Sequence, residues 1–185
     1  MIATTIYFLR HGEVHNPKKI LYGRLPRFSL STQGRKKIRK LAGFFYKEHI
    51  NIIYTSPMLR ARQTTELLVA RLGISSKVSG LLTEVKFSFA GISLVEFEKT
   101  IQPKLYGLEY IEYVKEGSET IEQIERRMLR FLDFIKRKHK GQKILAVSHG
   151  DPIMILKAAV ERKPFTWEYK RNNYLKPGDW FKLNI

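Results

Sequence analysis

Short β-branched and apolar segments alternate with amphipathic helical patterns along this chain. Four segments predict strands because they are rich in Ile, Val, Phe and Tyr: residues 4–9, 51–55, 143–148 and 180–185. Between them, apolar residues recur three and four positions apart, which is the spacing of a helix with one buried face. Parallel strands need crossover connections, which are usually helices that cover the sheet. The sequence therefore predicts an α/β three-layer sandwich with a mainly parallel central sheet.

Polar residues before each helical pattern predict where the helices begin, because a side-chain oxygen there can accept from a free backbone N–H. The predicted starts are Ser31 or Thr32 for the first helix, Ser56 followed by Pro57 for the second, Thr120 with Gln123 in a capping box for the third, and Pro152 for the fourth, which runs to Val160.

Residues 85–117 fit neither the strand nor the helix pattern. They are interrupted by Gly91, Pro103 and Gly107 and are rich in aromatic residues. We expect a small, partly helical lid over the C-terminal strand edge. The aromatic residues are Phe87, Phe89, Phe97, Tyr106, Tyr110 and Tyr113. With 185 residues, no internal repeat and no linker composition, the chain predicts one domain over residues 1–185.

The charge of the chain is strongly positive. Lys and Arg number 34 against 17 Asp and Glu, a net charge of +17. Such a chain attracts anions: phosphorylated metabolites, nucleic acid or an acidic membrane surface. The same residues equally suit solvated helix faces, no RNA-binding aromatic motif or zinc knuckle accompanies them, and no apolar run predicts a membrane span. The charge supports an anionic ligand without identifying it.

Cysteine is absent from the chain, which excludes disulfides, thiolate catalysis and cysteine-based zinc sites. Together with the lack of a signal-peptide pattern, this predicts a cytoplasmic protein. His49 and His139 lie among charged residues, which predicts solvent exposure for both. Nothing in the sequence indicates an oligomeric state.

Two of the predicted strands end in the same dipeptide. The first strand runs into His11-Gly12 and the third into His149-Gly150. Ligands of open α/β sheets bind outside the carboxyl ends of the strands, so we expect both imidazoles in one crevice. A glycine after the histidine allows a sharp turn and a close approach of the backbone.

Phosphate chemistry requires this set of residue types. The anion must be neutralised and an attacking atom aligned behind phosphorus. A neutral imidazole attacks through one nitrogen when the other is held by a hydrogen bond, and arginine binds phosphate oxygens in pairs. Arg10 adjoins His11, and Arg60 lies in the first turn of the second helix. Arg60 and Arg62 equally fit a solvated helix face, and spacing alone does not choose between them.

Five ordered blocks over residues 4–156 resemble the phosphoglycerate-mutase-like branch of the histidine phosphatase superfamily. The blocks are Arg10-His11-Gly12-Glu13, Leu30-Ser31-Thr32-Gln33-Gly34, residues 54–64, Leu82-Thr83-Glu84 and Val147-Ser148-His149-Gly150. The resemblance implies that His11 is the nucleophile and that Glu84 is the proton donor that later activates water. It also implies a phosphate pocket of Arg10, Arg60 and His149.

Three further residues are candidates around this pocket. Glu13, beside His11, competes with Glu84 as proton donor or serves to orient the site. Asn16 lies five residues after His11, one position nearer than the phosphate-binding asparagine of the family, and Arg24 belongs either to the pocket mouth or to a turn.

The predicted function is hydrolysis of phosphomonoesters through phosphohistidine, with a small phosphorylated metabolite as substrate and no cofactor. No metal is predicted, because His15 and His11 lie in a loop without a third ligand cluster. Two alternatives stay open. One is a cofactor-dependent phosphoglycerate mutase, and the other is a catalytically idle basic module that binds phosphorylated ligands or RNA.

Overall fold

The computed structural model describes residues 3–105 and 117–185, and it contains one sheet of five strands. The strands are β1 (Thr5–Arg10), β2 (Ile52–Thr55), β3 (Ser76–Val78), β4 (Lys143–Ser148) and β5 (Trp180–Asn184). Their order is β3-β2-β4-β1-β5, and every pairing is parallel except that of β1 with β5. The predicted α/β fold with a mainly parallel sheet is confirmed.

Helices cover both faces of the sheet. They are α1 (Thr32–Lys47), α2 (Leu59–Leu72), α3 (Leu94–Glu96), α4 (Gln102–Leu105), α5 (Ile121–Lys138), α6 (Gly150–Val160) and α7 (Trp167–Asn173), with a π-helical turn at Phe97–Ile101 between α3 and α4. Ser31 caps α1 by accepting from the Gly34 amide, and Thr120 and Gln123 form the predicted capping box of α5.

Alternate residues of each strand face opposite layers, because successive side chains of a strand point to opposite sides. On β1, Ile6 and Phe8 belong to the core beneath α5 and α6, whereas Tyr7 and Leu9 belong to the core beneath α1 and α2. All four are at most 1% exposed. The sheet is thus buried on both faces, as the near-continuous apolar runs predict.

Several predicted boundaries differ from the structure. Helix α2 begins at Leu59 with Met58 as N-cap, so the predicted start at Ser56 and Pro57 is wrong. The Ser56 hydroxyl contacts His149 instead. Helix α6 begins at Gly150, two residues before the predicted start. Strand β3 and helix α7 were not predicted from the sequence. The three residues of β3 are all exposed and show no alternation of apolar and polar side chains, so the segment lacks the pattern of a buried strand.

His139 is buried rather than solvated, so its predicted exposure is wrong. It lies at the C-terminus of α5, with Nε2 2.8 Å from the Tyr54 hydroxyl and Nδ1 2.7 Å from Gln142 Oε1. His49 is exposed as predicted. No helix among the described residues is long and apolar enough to cross a membrane.

The lid segment contacts the loop that follows His11. Backbone hydrogen bonds join the Leu21 amide to the Ile92 carbonyl and the Gly91 amide to the Leu21 carbonyl. The described part of the segment 85–117 is helical from Leu94 to Leu105, and its function as a lid stays a prediction. The predictions made for Tyr106, Gly107, Tyr110 and Tyr113 lie outside the described residues.

Candidate active site

The register of β1 and β4 brings the two histidines together. Arg10 pairs with Ser148 across the parallel strands, so His11 and His149 leave the sheet side by side. Both side chains are 0% exposed, and their ring centroids are 5.1 Å apart. The two His-Gly strand ends therefore meet at the carboxyl edge of the sheet, as the sequence predicts.

His11 presents a neutral imidazole with a defined tautomer. Its Nδ1 lies 2.8 Å from the Gly12 carbonyl oxygen, which can only accept, so Nδ1 carries the proton. Nε2 lies 3.1 Å from Arg60 Nε, which donates to it, and therefore holds the lone pair. Burial, with Arg60 and Arg10 nearby, keeps the pKa of His11 well below 6.5. Nε2 is accordingly the nucleophilic atom.

Both glycines after the histidines are required by close packing within the protein. A Cβ on Gly12 would lie 2.9 Å from Ile38 Cγ1 of α1, and one on Gly150 would lie 3.2 Å from the Arg10 guanidinium carbon. Neither glycine has a positive φ. The conformational freedom that we expected glycine to provide is therefore not needed at either position. Instead, the absence of a Cβ leaves room for α1 beside Gly12 and for the Arg10 side chain beside Gly150.

Two arginines flank His11. Arg60 is 1% exposed, donates from Nη2 to the Gly23 carbonyl at 2.8 Å and lies over the Tyr22 ring. Arg10 donates from Nη1 to the Leu175 carbonyl at 2.6 Å and lies over the Tyr174 ring. Together they place two fixed positive charges beside the nucleophile.

Glu84 faces both Arg60 and His149. Its Oε2 is 3.5 Å from Arg60 Nη2 and 3.5 Å from His149 Nδ1, and its side chain is 14% exposed. Burial raises the pKa of Glu84 above its usual value; Arg60 opposes this and Asp151 adds to it. Desolvation outweighs the arginine, so the carboxyl is biased toward the protonated form that an acid needs.

His149 completes the pocket as a second neutral imidazole. Its Nε2 is 2.7 Å from the Ser56 hydroxyl, and burial followed by Arg60 keeps its pKa well below 6.5. Two buried nitrogens of the site, His149 Nδ1 and Arg10 Nε, have no hydrogen-bond partner within the described chain. Such groups are costly to bury unless a ligand accepts from them, and phosphate oxygens are acceptors.

His11, Glu84 and His149 offer ligand atoms that lie within 4.8 Å of one another, a geometry that a metal ion could use. However, Arg60 donates directly to His11 Nε2 and Arg10 lies alongside. Two guanidinium cations in contact with the set oppose a divalent cation and favour an anion. The donor set therefore fits a phosphate better than a metal.

A cavity of about 620 Å³ opens beside Arg10 and Glu84 and is bordered by described residues of the segment 85–117. Its polar wall includes Arg10, Glu84 and Asp151, and its apolar wall is largely aromatic. The rings that line it are Tyr22, Phe87, Phe89, Phe97, Phe165, Trp167 and Tyr174. The cavity is large enough for a small phosphorylated metabolite.

The other candidates lie outside the cluster around His11. Asn16 uses its whole amide on the Ile20 backbone, donating to the carbonyl at 2.8 Å and accepting from the N–H at 3.2 Å. Glu13 is exposed and accepts from the Ser31 hydroxyl at 2.6 Å, which suits its orienting interpretation. Arg24 contacts the backbone of Glu84 rather than the pocket of arginines and histidines.

The sequence interpretation missed four residues of the site: Tyr22, Ser56, Thr64 and Tyr174. Thr64 accepts from the Gly12 amide at 3.1 Å and so supports the loop after the nucleophile. The sequence pattern assigns Ser56 to a helix cap, although its position directly after a buried strand is a signal for a site residue. No sequence pattern marks Tyr22 or Tyr174 as a site residue, because each contacts an arginine that is distant in the sequence.

Taken together, a buried neutral histidine between two arginines, with a carboxyl opposite, defines an enzyme that cleaves phosphate esters through histidine. The chain belongs to the histidine phosphatase superfamily (branch 1), whose family model matches residues 6–174. The resemblance seen in the five sequence blocks is thereby confirmed. This membership, together with the relatives that are named phosphatases, supports a hydrolase acting on phosphate esters.

Relatives of known fold and sequence agree with this membership. The putative phosphoserine phosphatase 2 of Hydrogenobacter thermophilus is 31% identical over 150 residues, covering 78% of this chain and 72% of that protein. The structure of YhfR from Bacillus stearothermophilus has a TM-score of 0.85 at 24% identity and covers 97% and 90% of the two chains. Phosphoserine phosphatase of Entamoeba histolytica, solved with 3-phosphoglyceric acid, has a TM-score of 0.81 at 21% identity, covering 97% and 89%.

Proposed function

We propose that this chain is a metal-independent phosphatase of small phosphomonoesters, with His11 as nucleophile and Glu84 as acid and base. The observation that carries the proposal is the state of His11. Its Nδ1 is held by the Gly12 carbonyl, its Nε2 keeps the lone pair, and burial beside arginines keeps it neutral. A neutral, oriented imidazole is what attack on phosphorus requires.

The first step transfers the phosphoryl group to the enzyme. Phosphate oxygens replace His11 as the acceptor of Arg60 Nε, and Arg10 and His149 donate to the same anion. His11 Nε2 then forms a bond to phosphorus while the ester P–O bond breaks. Glu84 gives its proton to the leaving oxygen, so the alcohol departs neutral and Glu84 becomes a carboxylate.

The second step releases phosphate. The Glu84 carboxylate takes a proton from a water molecule, the water oxygen bonds to phosphorus, and the Nε2–P bond breaks. His11 recovers its lone pair and Glu84 its proton, so the cycle closes without a metal or a cofactor. The arginines supply the charge stabilisation that a metal supplies in other phosphatases.

The size of the cavity and the names of similar proteins support a class of substrate. Similar proteins are named phosphoserine phosphatase, and one was solved with 3-phosphoglyceric acid. We infer a small phosphorylated metabolite for this chain too, bound in the cavity of about 620 Å³.

We also propose one domain over residues 1–185, with 85–117 as its lid, in a cytoplasmic protein.

Trapping the covalent intermediate tests the proposal. Wild-type protein is mixed with labelled para-nitrophenyl phosphate and the reaction is quenched during turnover. The quenched wild-type protein should carry acid-labile phosphate, and His11→Ala should carry none. His15→Ala is the matched control, because His15 is exposed and lies four residues away. Turnover should persist in EDTA. Label that survives His11→Ala, or activity that EDTA removes and a divalent cation restores, would contradict the proposal.

A further inference from the structure

Glu119 lies two residues after the segment 85–117, outside the cluster around His11, and its carboxylate accepts hydrogen bonds from three separate segments. Arg24 Nη2 donates to it at 2.7 Å, Arg127 Nε at 2.9 Å and the Lys86 amide at 2.9 Å. The Glu119 side chain is 19% exposed, and that of Arg127 is 13% exposed. The Glu119 backbone takes part as well, because its amide donates to the Lys86 carbonyl at 2.8 Å.

Both arginines use their other nitrogens on the segment that carries Glu84. Arg127 Nη1 donates to the Leu81 carbonyl at 2.7 Å, and Arg24 Nε donates to the Glu84 carbonyl at 2.7 Å. The acid-bearing segment is therefore held at the carbonyls of residues 81 and 84 and at the amide of residue 86. The Glu119 carboxylate accepts from both arginines and directly from the Lys86 amide, so it connects all three contacts.

The mechanism makes this segment sensitive to position. Glu84 follows a short 3-10 turn, Gly80–Leu82, and not a long helix or strand that would orient it. Proton transfer requires the carboxyl within hydrogen-bond reach of the leaving oxygen, and displacement by about 1 Å costs on the order of a hundredfold in rate. Charge-assisted hydrogen bonds from two planar guanidinium groups provide the required rigidity.

We propose that Glu119 is a positioning residue for proton transfer: through Arg24 and Arg127 it holds the backbone of the Glu84 segment at the distance that the leaving oxygen requires. This inference rests on the proposed role of Glu84. It also gives Arg24 a function other than the two that the sequence left open, a place at the pocket mouth or in a turn. Glu119 also lines the cavity proposed for the substrate, but its proposed role is exerted through the backbone of the Glu84 segment.

The dependence of rate on the leaving group tests the proposal. An alkyl phosphate such as β-glycerol phosphate needs a proton on its leaving oxygen, whereas 2,4-dinitrophenyl phosphate does not. For Glu119→Gln we expect kcat/KM to fall about tenfold or more with the alkyl ester and less than about threefold with the dinitrophenyl ester. The ratio kcat/KM is chosen because it reports the step that forms phosphohistidine.

Two further variants make the result independent of folding. Arg24→Lys keeps the charge of a partly exposed side chain, but lysine cannot donate from two fixed positions, so the same selective loss is expected. Glu161→Gln is the matched control, since Glu161 also joins two donors, Lys157 and Tyr169, away from Glu84. It should leave both esters unaffected.

A double variant decides whether Glu119 acts through Glu84. In a Glu84→Gln background, adding Glu119→Gln should change kcat/KM for the alkyl ester by less than about twofold. Equal losses with both esters, no loss with either, or additive losses in the double variant would overturn the proposal. Failure of the proposed function has a different signature: the wild-type protein would then hydrolyse neither ester.

Discussion

Arg60 and Arg62 stand two positions apart on α2 and have opposite surroundings. Arg60 is 1% exposed and donates to His11, whereas Arg62 is exposed. Residues two apart on a helix point about 200° from each other, so one of them faces the pocket and the other faces solvent. Spacing did not distinguish the two arginines and only the resemblance implied Arg60, whereas burial distinguishes them directly.

Arg60→Ala should therefore lose far more activity than Arg62→Ala. Loss of a charge-assisted contact in the transition state costs on the order of 3 kcal/mol, roughly a hundredfold in kcat, whereas Arg62→Ala should stay within about twofold. Steady-state kinetics with para-nitrophenyl phosphate measures both. Equal losses for the two variants would show that Arg60 does not bind the phosphoryl group in the transition state.

The pKa shifts of His11 and Glu84 predict a bell-shaped dependence of the rate on pH. His11 must be neutral, and its lowered pKa lets it stay neutral well below pH 6.5. Glu84 must be protonated, and its raised pKa lets it stay protonated above pH 4.5. With an alkyl phosphate, kcat/KM should rise as pH passes the lowered pKa of His11 and fall as pH passes the raised pKa of Glu84.

Glu84→Gln should remove the alkaline fall that titration of Glu84 produces, at a lower overall rate. Because the titrations of His11 and Glu84 influence each other, the acidic and alkaline limbs of the pH profile report pKa values of the pair and not of either residue alone. A profile of kcat/KM against pH for wild type and variant measures the effect. An alkaline limb that persists unchanged in Glu84→Gln would assign the acid to another group, with Glu13 as the next candidate.

At the scale of elements, the start of α1 packs against the backbone that follows the nucleophile. The Ser31 amide donates to the Glu13 carbonyl, and a Cβ on Gly34 would overlap that same oxygen. A Cβ on Gly43, further along α1, would have no atom within 4 Å outside its own helical backbone and its chain neighbours. Two glycines of one helix therefore have different roles.

Gly34→Ala should lower the free energy of unfolding by about 2–3 kcal/mol, because the backbone oxygen it meets cannot move aside cheaply. Gly43→Ala is the matched control and should raise it by about 0.5–1 kcal/mol, since alanine is the better helix former. Urea denaturation followed by circular dichroism measures both. A neutral Gly34→Ala would mean that α1 shifts freely relative to the loop after His11.

Element boundaries were predictable where a local cap determines them. Ser31 and Thr120 cap their helices as expected, because the cap hydrogen bond involves only nearby residues. The predicted start of α2 is wrong, since the helix begins at Leu59, and the Ser56 hydroxyl contacts both the Met58 amide and His149, 93 positions away. No local rule contains that contact.

At the scale of the whole molecule, we expect the proposed lid over residues 85–117 to favour hydrolysis over mutase activity. A mutase must shield its phosphorylated intermediate from water while the substrate reorients. The segment from 85 to 117 is short and is interrupted by Gly91, Pro103 and Gly107. We expect water to reach phospho-His11, where Glu84 lies in position to activate it.

Incubation with 3-phosphoglycerate and catalytic 2,3-bisphosphoglycerate should therefore release phosphate with little 2-phosphoglycerate. Phosphate release and isomer ratio are measured in the same sample, with His11→Ala as the blank. Rapid interconversion without phosphate release would make the chain a mutase and would overturn the assignment as a phosphatase.

The alternation of apolar strands and amphipathic helices determined the α/β class, and two His-Gly strand ends determined where the chemistry lies. Both follow from local periodicity and from the rule that parallel strands end at a common edge. The five blocks of the resemblance then implied which residues of this site react. These features are readable because each resides in a continuous stretch of chain.

Tertiary structure alone decided the chemical states and the supporting contacts. The neutrality of His11 depends on burial and on Arg60, 49 positions away, and the raised pKa of Glu84 depends on desolvation that outweighs that same arginine. The bridge from Glu119 to Arg24 joins residues 95 positions apart. Desolvation and long-range hydrogen bonds exist only after the chain has folded, so no sequence pattern could contain them.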